Sequence, residues 1–410
     1  MRLRNKLGAI ALTMYCGASA QQFVDADHID KAKRAVNALG AAPTLQCEIK
    51  PVQPALDFSM RLETGYKIRV PLNQFLGPGH GWTTLLQVTP STGQPVYLVS
   101  TSELPQVPSN NADGEVSGGF VVGEGIYDVL ALVEDDEKRT CHSAWRIDAK
   151  LGRMEHGLRP AMNPNTVGVI SGPFLAARRS ANPKIGRLTI FVHAAPRSRR
   201  LSISEDDTTM LAGMLSALME QLSAREVRLV VFNLEQQRIV MRNDNFAPEE
   251  IENVSKAINE QQLASVDYSV VNNPKGTVDL LTGLVETEVR REKPSDVVIF
   301  LGSHSRTVDS IPVLAMNSRP PAVEQFFYLQ YKRPLLSLVS PLGFAEAPRG
   351  PGLGTGRRPE LPPPVDRESE ATPDSIEQLM KRLKGHTMAL AKPHDFVEAL
   401  ARLNQLTGKR

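Results

Sequence analysis

Three short stretches constrain this chain more than any others: "LTIFVH" (188–193), "VRLVVF" (227–232) and "VVIFL" (297–301). Each is apolar with almost no alternation. A strand with one wet face alternates, so strands of this kind are covered on both faces. Between them lie stretches with helical spacing, "DDTTMLAGMLSALMEQL", "PEEIENVSKAINEQQ" and "TVDLLTGLVETEVRRE", and further strands at "QRIVMR", "EQFFYLQYK" and "GHTMALAK" before a last helix, "PHDFVEALARLNQL". Strands alternating with helices predict a doubly wound, mostly parallel α/β sheet over residues 185–408.

Residues 47–152 have a different rhythm. "YKIRVPL", "TTLLQVTP", "PVYLVSTSELP", "GGFVVGEGIYDVLALVED" and "TCHSAWRIDAK" are short, alternating and separated by Gly, Pro, Asn and Asp. That spacing predicts an antiparallel β-sandwich. Tyr127 and Trp145 are read as core or sheet-face residues, with an exposed carbohydrate platform as the alternative. Residues 21–46 are a short helix, in "DADHIDKAKRAVNALG", or a mobile arm, and the Pro/Gly/Asn-rich 153–184 is a linker. A run rich in Pro and Gly at 333–373, with "ELPPPVDR" at its centre, is an extended insertion or a polyproline docking strip.

The first twenty residues predict a secretory leader: Arg2, Arg4 and Lys6, then the apolar "LGAIALTMYC", then "ASA" at Ala18 to Ala20 as the cleavage motif. The apolar run is too short to cross about 30 Å of hydrocarbon, so no stable membrane span is expected. Export to the periplasm, cell surface or medium removes Cys16 and leaves Cys47 and Cys141, which predicts one disulfide. It would close a loop of roughly 90 residues, a constraint of about 4–5 kcal/mol in the chain-entropy model. A net charge of +2 gives no global field for nucleic acid.

The segments "RLTIFVHAAPRS", "EVRLVVFNLEQQRIVM", "KGTVDLLTGL" and "DVVIFLGSHS" resemble a von Willebrand factor A domain over residues 185–408. The layout behind a leader also resembles the exported von Willebrand factor A-related proteins of acidobacteria. A metal-binding member of that family carries Asp-x-Ser-x-Ser after its first strand, a Thr in the "GT" turn and an Asp after its fourth strand. Here those positions fall on His193, Ala195 and Arg197, on Thr277, and near Ser303; only Thr277 matches. A hard cation needs oxygen ligands, and Ala195 with neighbouring Arg197 provides none and adds repulsion, so the resemblance implies a degenerate site with no metal and no cofactor.

At the carboxyl ends of the strands, where open α/β sheets bind ligands, the sequence places His193, Arg197, Arg199, Arg200, Thr277, Ser303, His304 and Ser305. A basic, hydroxyl-bearing rim suits a carboxylate from a protein partner; a vacated site that only supports the fold is the other reading. The expected function is a non-catalytic protein-interaction or envelope-associated module. The alternative is a hydrolase using Ser303 or Ser305 with His193 or His304 and Asp309, which requires those groups within hydrogen-bond reach. None of the eight histidines has His-x-x-x-His spacing.

Overall fold

The computed structural model describes residues 21–38, 43–75, 79–104, 113–155, 158–170, 183–196, 203–261, 270, 272–273, 275–305, 325–332 and 374–407. The expected leader (1–20), Arg197, Arg199, Arg200, Asp309 and the Pro-rich 333–373 lie outside these residues. The fold is a mixed α/β arrangement of two antiparallel sheets and one mixed sheet.

The chain opens with β1 (Gln22–Phe23) and α1 (Ile29–Asn37). It continues through β2 (Glu48–Leu56), β3 (Leu62–Pro71), β4 (Gly81–Pro90), β5 (Val96–Glu103), β6 (Asp113–Val122), β7 (Gly125–Asp135), β8 (Thr140–Ala149) and β9 (Val167–Val169). One antiparallel sheet has the order β1-β5-β4-β7-β8 and the other β2-β3-β6-β9. Alternation drives the pairing. In β3, Tyr66, Ile68 and Val70 are buried, while Lys67 and Arg69 point outward to Glu115 (3.3 Å) and Asp113 (2.9 Å) on β6. The inward faces, Tyr66, Ile68, Val70 and Phe120 from one sheet and Leu86, Val88, Leu98 and Val129 from the other, belong to one core. The arm is anchored too: Ala32 and Val36 of α1 pack with Leu85, Tyr97 and Leu132 of the five-stranded sheet.

Cys47 and Cys141 form the expected disulfide, with Cα atoms 6.1 Å apart. Cys47 immediately precedes β2 and Cys141 lies in β8, and each of those strands is an edge of its own sheet. The bond therefore joins the two sheets at one margin.

Three details qualify the sequence reading. A first strand holding Cys47 is expected; β2 begins one residue later, at Glu48, and its "EIKPVQPAL" carries Pro51 and Pro54. It lies at a sheet edge, where a missing N–H leaves the single ladder to β3 largely intact. The run "GGFVVGEGIYDVLALVED" is two strands in different sheets, β6 and β7, divided at Gly123 and Glu124. Gly125 has φ 153, and the Tyr127 hydroxyl donates to the Gly123 and Thr166 carbonyls at 2.8 and 3.1 Å, pinning the corner. Burial pushes the Tyr127 phenol up to about 12. Finally, 153–184 is not all linker, since β9 pairs with β6 through Val167↔Val122, Gly168↔Val121 and Val169↔Phe120. Three apolar-spaced residues among Gly, Pro and Asn are too few to show a period.

The rest of the chain forms β10 (Ile185–His193), α2 (Glu205–Gln221), β11 (Ala224–Asn233), β12 (Arg238–Asn243), α3 (Ile251–Asn259) and α4 (Gly276–Val289). Then come β13 (Val297–Ser303), β14 (Gln325–Tyr331), α5 (Ser375–Leu383), β15 (His386–Leu390) and α6 (Pro393–Thr407). These strands make a sheet of order β12-β11-β10-β13-β14-β15 in which only β12 runs antiparallel. Its two faces are covered separately. Leu188, Ile190 and Val192 of β10 share a cluster with residues of α2, α3 and α6, while Phe191 shares another with residues of α4 and α5.

Ser204 caps α2, its side chain accepting from the Asp207 N–H at 3.1 Å. Leu211 through Leu218 are all buried, so α2 is enclosed rather than amphipathic. The antiparallel sheets lie close by. Gln221 exchanges bonds with the Arg159 backbone at 2.8 and 3.4 Å, and the rings of Phe58 and Phe396 are 6.0 Å apart. Both parts of the chain thus contribute to one continuous core.

A charged pair lies under the same sheet. Arg228 of β11 donates to Glu288 of α4 at 2.6 Å, and to the Lys293 carbonyl at 2.8 Å. Glu288 also accepts from the Ser295 N–H at 3.0 Å, and the Arg291 guanidinium is 3.3 Å away. Glu288 is 3% exposed and Arg228 9%.

Candidate functional site

The carboxyl ends of β10 and β13 are adjacent, with Cα partners running from Leu188↔Val297 to His193↔Gly302. The chain leaves β10 toward β11 on one side and β13 flanks the other. This is the point in an open sheet where a crevice forms. Gly302 is required here, because a Cβ on it would stand 2.6 Å from the His193 Cβ and 2.8 Å from the His193 carbonyl oxygen.

His193 closes β10 on the face covered by α4 and α5. It is 1% exposed, with its ring centroid 5.3 Å from that of Phe232. Its Nδ1 lies 3.3 Å from the Ser303 carbonyl oxygen, an atom that can only accept. Nδ1 therefore carries the proton and Nε2 keeps a lone pair. Nε2 is buried and makes no hydrogen bond among the described residues. Burial, together with neighbouring His304, outweighs the attraction of Asp374 and the bond to Ser303, and lowers the imidazole to about 4.

A dense hydrogen-bonded cluster adjoins it. The Ser303 carbonyl also accepts from the Tyr328 hydroxyl at 3.0 Å, and that hydroxyl reaches Asp374 at 2.9 Å. Asp374 further accepts from Gln330 Nε2 at 2.6 Å, from the Ser305 hydroxyl at 3.0 Å and from the Ile376 N–H at 2.8 Å. Ser305 in turn accepts from the Ser375 N–H at 2.9 Å. Burial and the Asp374 carboxylate drive the Tyr328 phenol well above its ordinary value.

The residues expected to line an open rim are therefore mostly inside. His193, Thr277, Ser303 and Ser305 are at most 5% exposed. Thr277 donates to the Leu234 carbonyl at 3.2 Å, and the Ser303 hydroxyl to the Ala195 carbonyl at 3.5 Å. Of the described set only His304 is half-buried, and its Nδ1 is enclosed without a hydrogen bond. The correction has a simple cause: a strand-end carbonyl needs donors, and these hydroxyls and rings supply them before any ligand can. Arg197 and Arg199 lie outside the described residues. Among the described residues, no group of three or more His, Cys, Asp or Glu is placed to hold a metal ion. The Ser303 Oγ and the His193 ring face backbone carbonyls rather than each other.

Sequence reasoning missed Asp374 and the helix it caps. The pattern was legible: Asp374, then Glu377 three positions on, ahead of Leu379 and Met380, is an N-terminal capping pattern. The Pro-rich run, bounded at 333–373, stops one residue short of it, and no helix was assigned to the residues that follow.

The buried imidazole makes stability depend on pH. In the unfolded chain His193 titrates near 6.5, and in the folded one near 4, so between those values the unfolded state binds the extra proton. Stability from this group is complete above pH 6.5 and falls as pH drops toward 4, by about 3 kcal/mol in all. Urea midpoints for the native chain and for His193→Gln should diverge at neutral pH and approach one another below pH 5. Parallel curves would mean that His193 is not buried in its neutral form.

No family model matches the chain, and no curated protein matches it. Among solved structures, a structural-genomics target is 14% identical, with 27% of this chain and 93% of that one covered at a TM-score of 0.18. A β-glucuronidase 2 of Bacteroides uniformis is 8% identical over 70% of this chain and 36% of its own, again at 0.18. A Paenibacillus cycloisomaltooligosaccharide glucanotransferase is 9% identical over 71% and 45%, also at 0.18. The chain thus spans less than half of either enzyme, and likenesses this slight assign neither fold nor activity.

Proposed function

We propose that this chain is an exported, non-catalytic protein-interaction module. A disulfide-stapled β-sandwich precedes a doubly wound domain of the von Willebrand factor A type, working without a metal or other cofactor. The strand order, with one antiparallel edge strand beside β11, is consistent with that domain type. The observation that carries the reading is the chemistry at the first-strand end. Where a metal-binding member would set a carboxylate and two hydroxyls, this chain has His193, Ala195 and Arg197. The nearby hydroxyls of Ser303 and Thr277 are spent on backbone carbonyls.

Export is supported by the leader-like first twenty residues and by the disulfide, a bond that persists in oxidising compartments. No helix among the described residues is long and apolar enough to cross a membrane. The partner is a protein presenting carboxylates to Arg197 and Arg199, which follow β10 in the sequence; with a net charge of +2 the chain has no broad attraction for nucleic acid.

Calorimetric titration of Mg²⁺ and Mn²⁺ into the purified chain, with Thr277→Ala as control, tests the metal-free site. Heats indistinguishable from dilution are expected in both proteins. Micromolar binding that the substitution abolishes would overturn it in favour of a cation-bridged site. In parallel, a serine-reactive phosphonate should leave Ser303 and Ser305 unlabelled; stoichiometric labelling of either would favour a hydrolase.

A further inference from the structure

We infer that the mature protein begins at Gln21 and that this residue is closed into a pyroglutamate ring packed inside the β-sandwich. The inference rests on the export reading and adds a covalent modification to it. The cleavage motif Ala18-Ser19-Ala20 directly precedes Gln21. Gln21 is not part of a loose tail. It is 6% exposed, and the next two residues are fixed as β1 against β5 through Gln22↔Val99 and Phe23↔Leu98. Val24 continues the anchorage, its N–H donating to the Tyr97 carbonyl at 2.9 Å.

Its side chain is out of balance with this site. The Tyr66 hydroxyl, which also meets Ser100 and Thr84, faces the amide, yet neither Nε2 nor Oε1 is satisfied by ordinary hydrogen-bond geometry among the described residues. Cleavage before Gln21 would add an α-ammonium to the same enclosed residue. Burying an unpaired charge beside an unpaired amide is doubly unfavourable.

Cyclisation removes both problems in one step. The uncharged α-amine attacks its own side-chain carbonyl carbon, a new N–Cδ bond forms, the Cδ–Nε2 bond breaks, and the nitrogen leaves as ammonia with the displaced proton. Nothing is oxidised or reduced. The product is neutral and compact, with one N–H donor and one carbonyl acceptor in place of an ammonium and a primary amide. A lactam also has no free amine for an aminopeptidase, which suits the first residue of an exported chain.

The test is to express the full chain with its leader in a bacterium, recover the exported fraction promptly, reduce it, and measure its intact mass and amino-terminal fragment ions. The expected chain runs from residue 21 and is lighter than the unmodified polypeptide by one ammonia. Gln21→Asn, whose shorter side chain does not close this ring, should be exported with a free amine and should unfold at a lower temperature. A folded native chain that begins at Gln21 with a free amine would overturn the lactam and leave export standing. A chain that retains Met1, or begins elsewhere, would overturn the cleavage on which both rest.

Discussion

Glu288→Ala is expected to destabilise the protein by about 3–5 kcal/mol, because it strands the Arg228 guanidinium under the sheet. Arg228 spends one arm on Glu288 at 2.6 Å and the other on the Lys293 carbonyl, while Glu288 also holds the Ser295 N–H. Losing the carboxylate leaves a charge and a backbone donor unmatched together. Replacing both partners, Arg228→Met with Glu288→Leu, should recover most of the loss, since an apolar pair needs neither water nor a counter-charge. Chemical denaturation of the three proteins measures both effects. A loss below about 1 kcal/mol for the single variant would place the pair in the class of solvent-screened surface bridges.

Removing the disulfide by Cys47→Ser with Cys141→Ser should cost about 2–5 kcal/mol. The cysteines are 94 positions apart and hold edge strands of opposite sheets, so the unfolded chain gains conformations when they part. Thermal melts with and without reductant provide the comparison: reductant should lower the midpoint of the native protein and leave the double variant unmoved. A native protein indifferent to reductant under conditions that demonstrably reduce the bond would show that packing alone holds that margin.

The parts of the fold readable from sequence were those with long, unambiguous periods. β10, β11 and β13 announced themselves as apolar runs because both of their faces are covered, and the pairing of Cys47 with Cys141 followed from their being the only cysteines after residue 20. A first strand was legible beside Cys47, but its extent was not, because the prolines of β2 offend a central strand and suit an edge. β9 was too short to show alternation. The site was harder, for a reason of sign. His193 and Ser303 are polar residues at strand ends and Thr277 lies in the first turn of α4, and sequence cannot tell whether such groups face water or backbone. Here they face the backbone, so residue types that suggested a receptive rim turn out to close it. Asp374 lay beyond any alignment with the metal motif, yet it organises more of this region than any residue chosen from that motif.

That carboxylate also bears on how the chain can vary. Through Tyr328 and Gln330 it grips β14 itself, the strand that ends just before Lys332, while its other oxygen starts α5. The end of β14 and the start of α5 are thus moored to one side chain, so a change at Asp374 would loosen both together, whereas a change at Tyr328 or Gln330 alone would leave the cap of α5 in place.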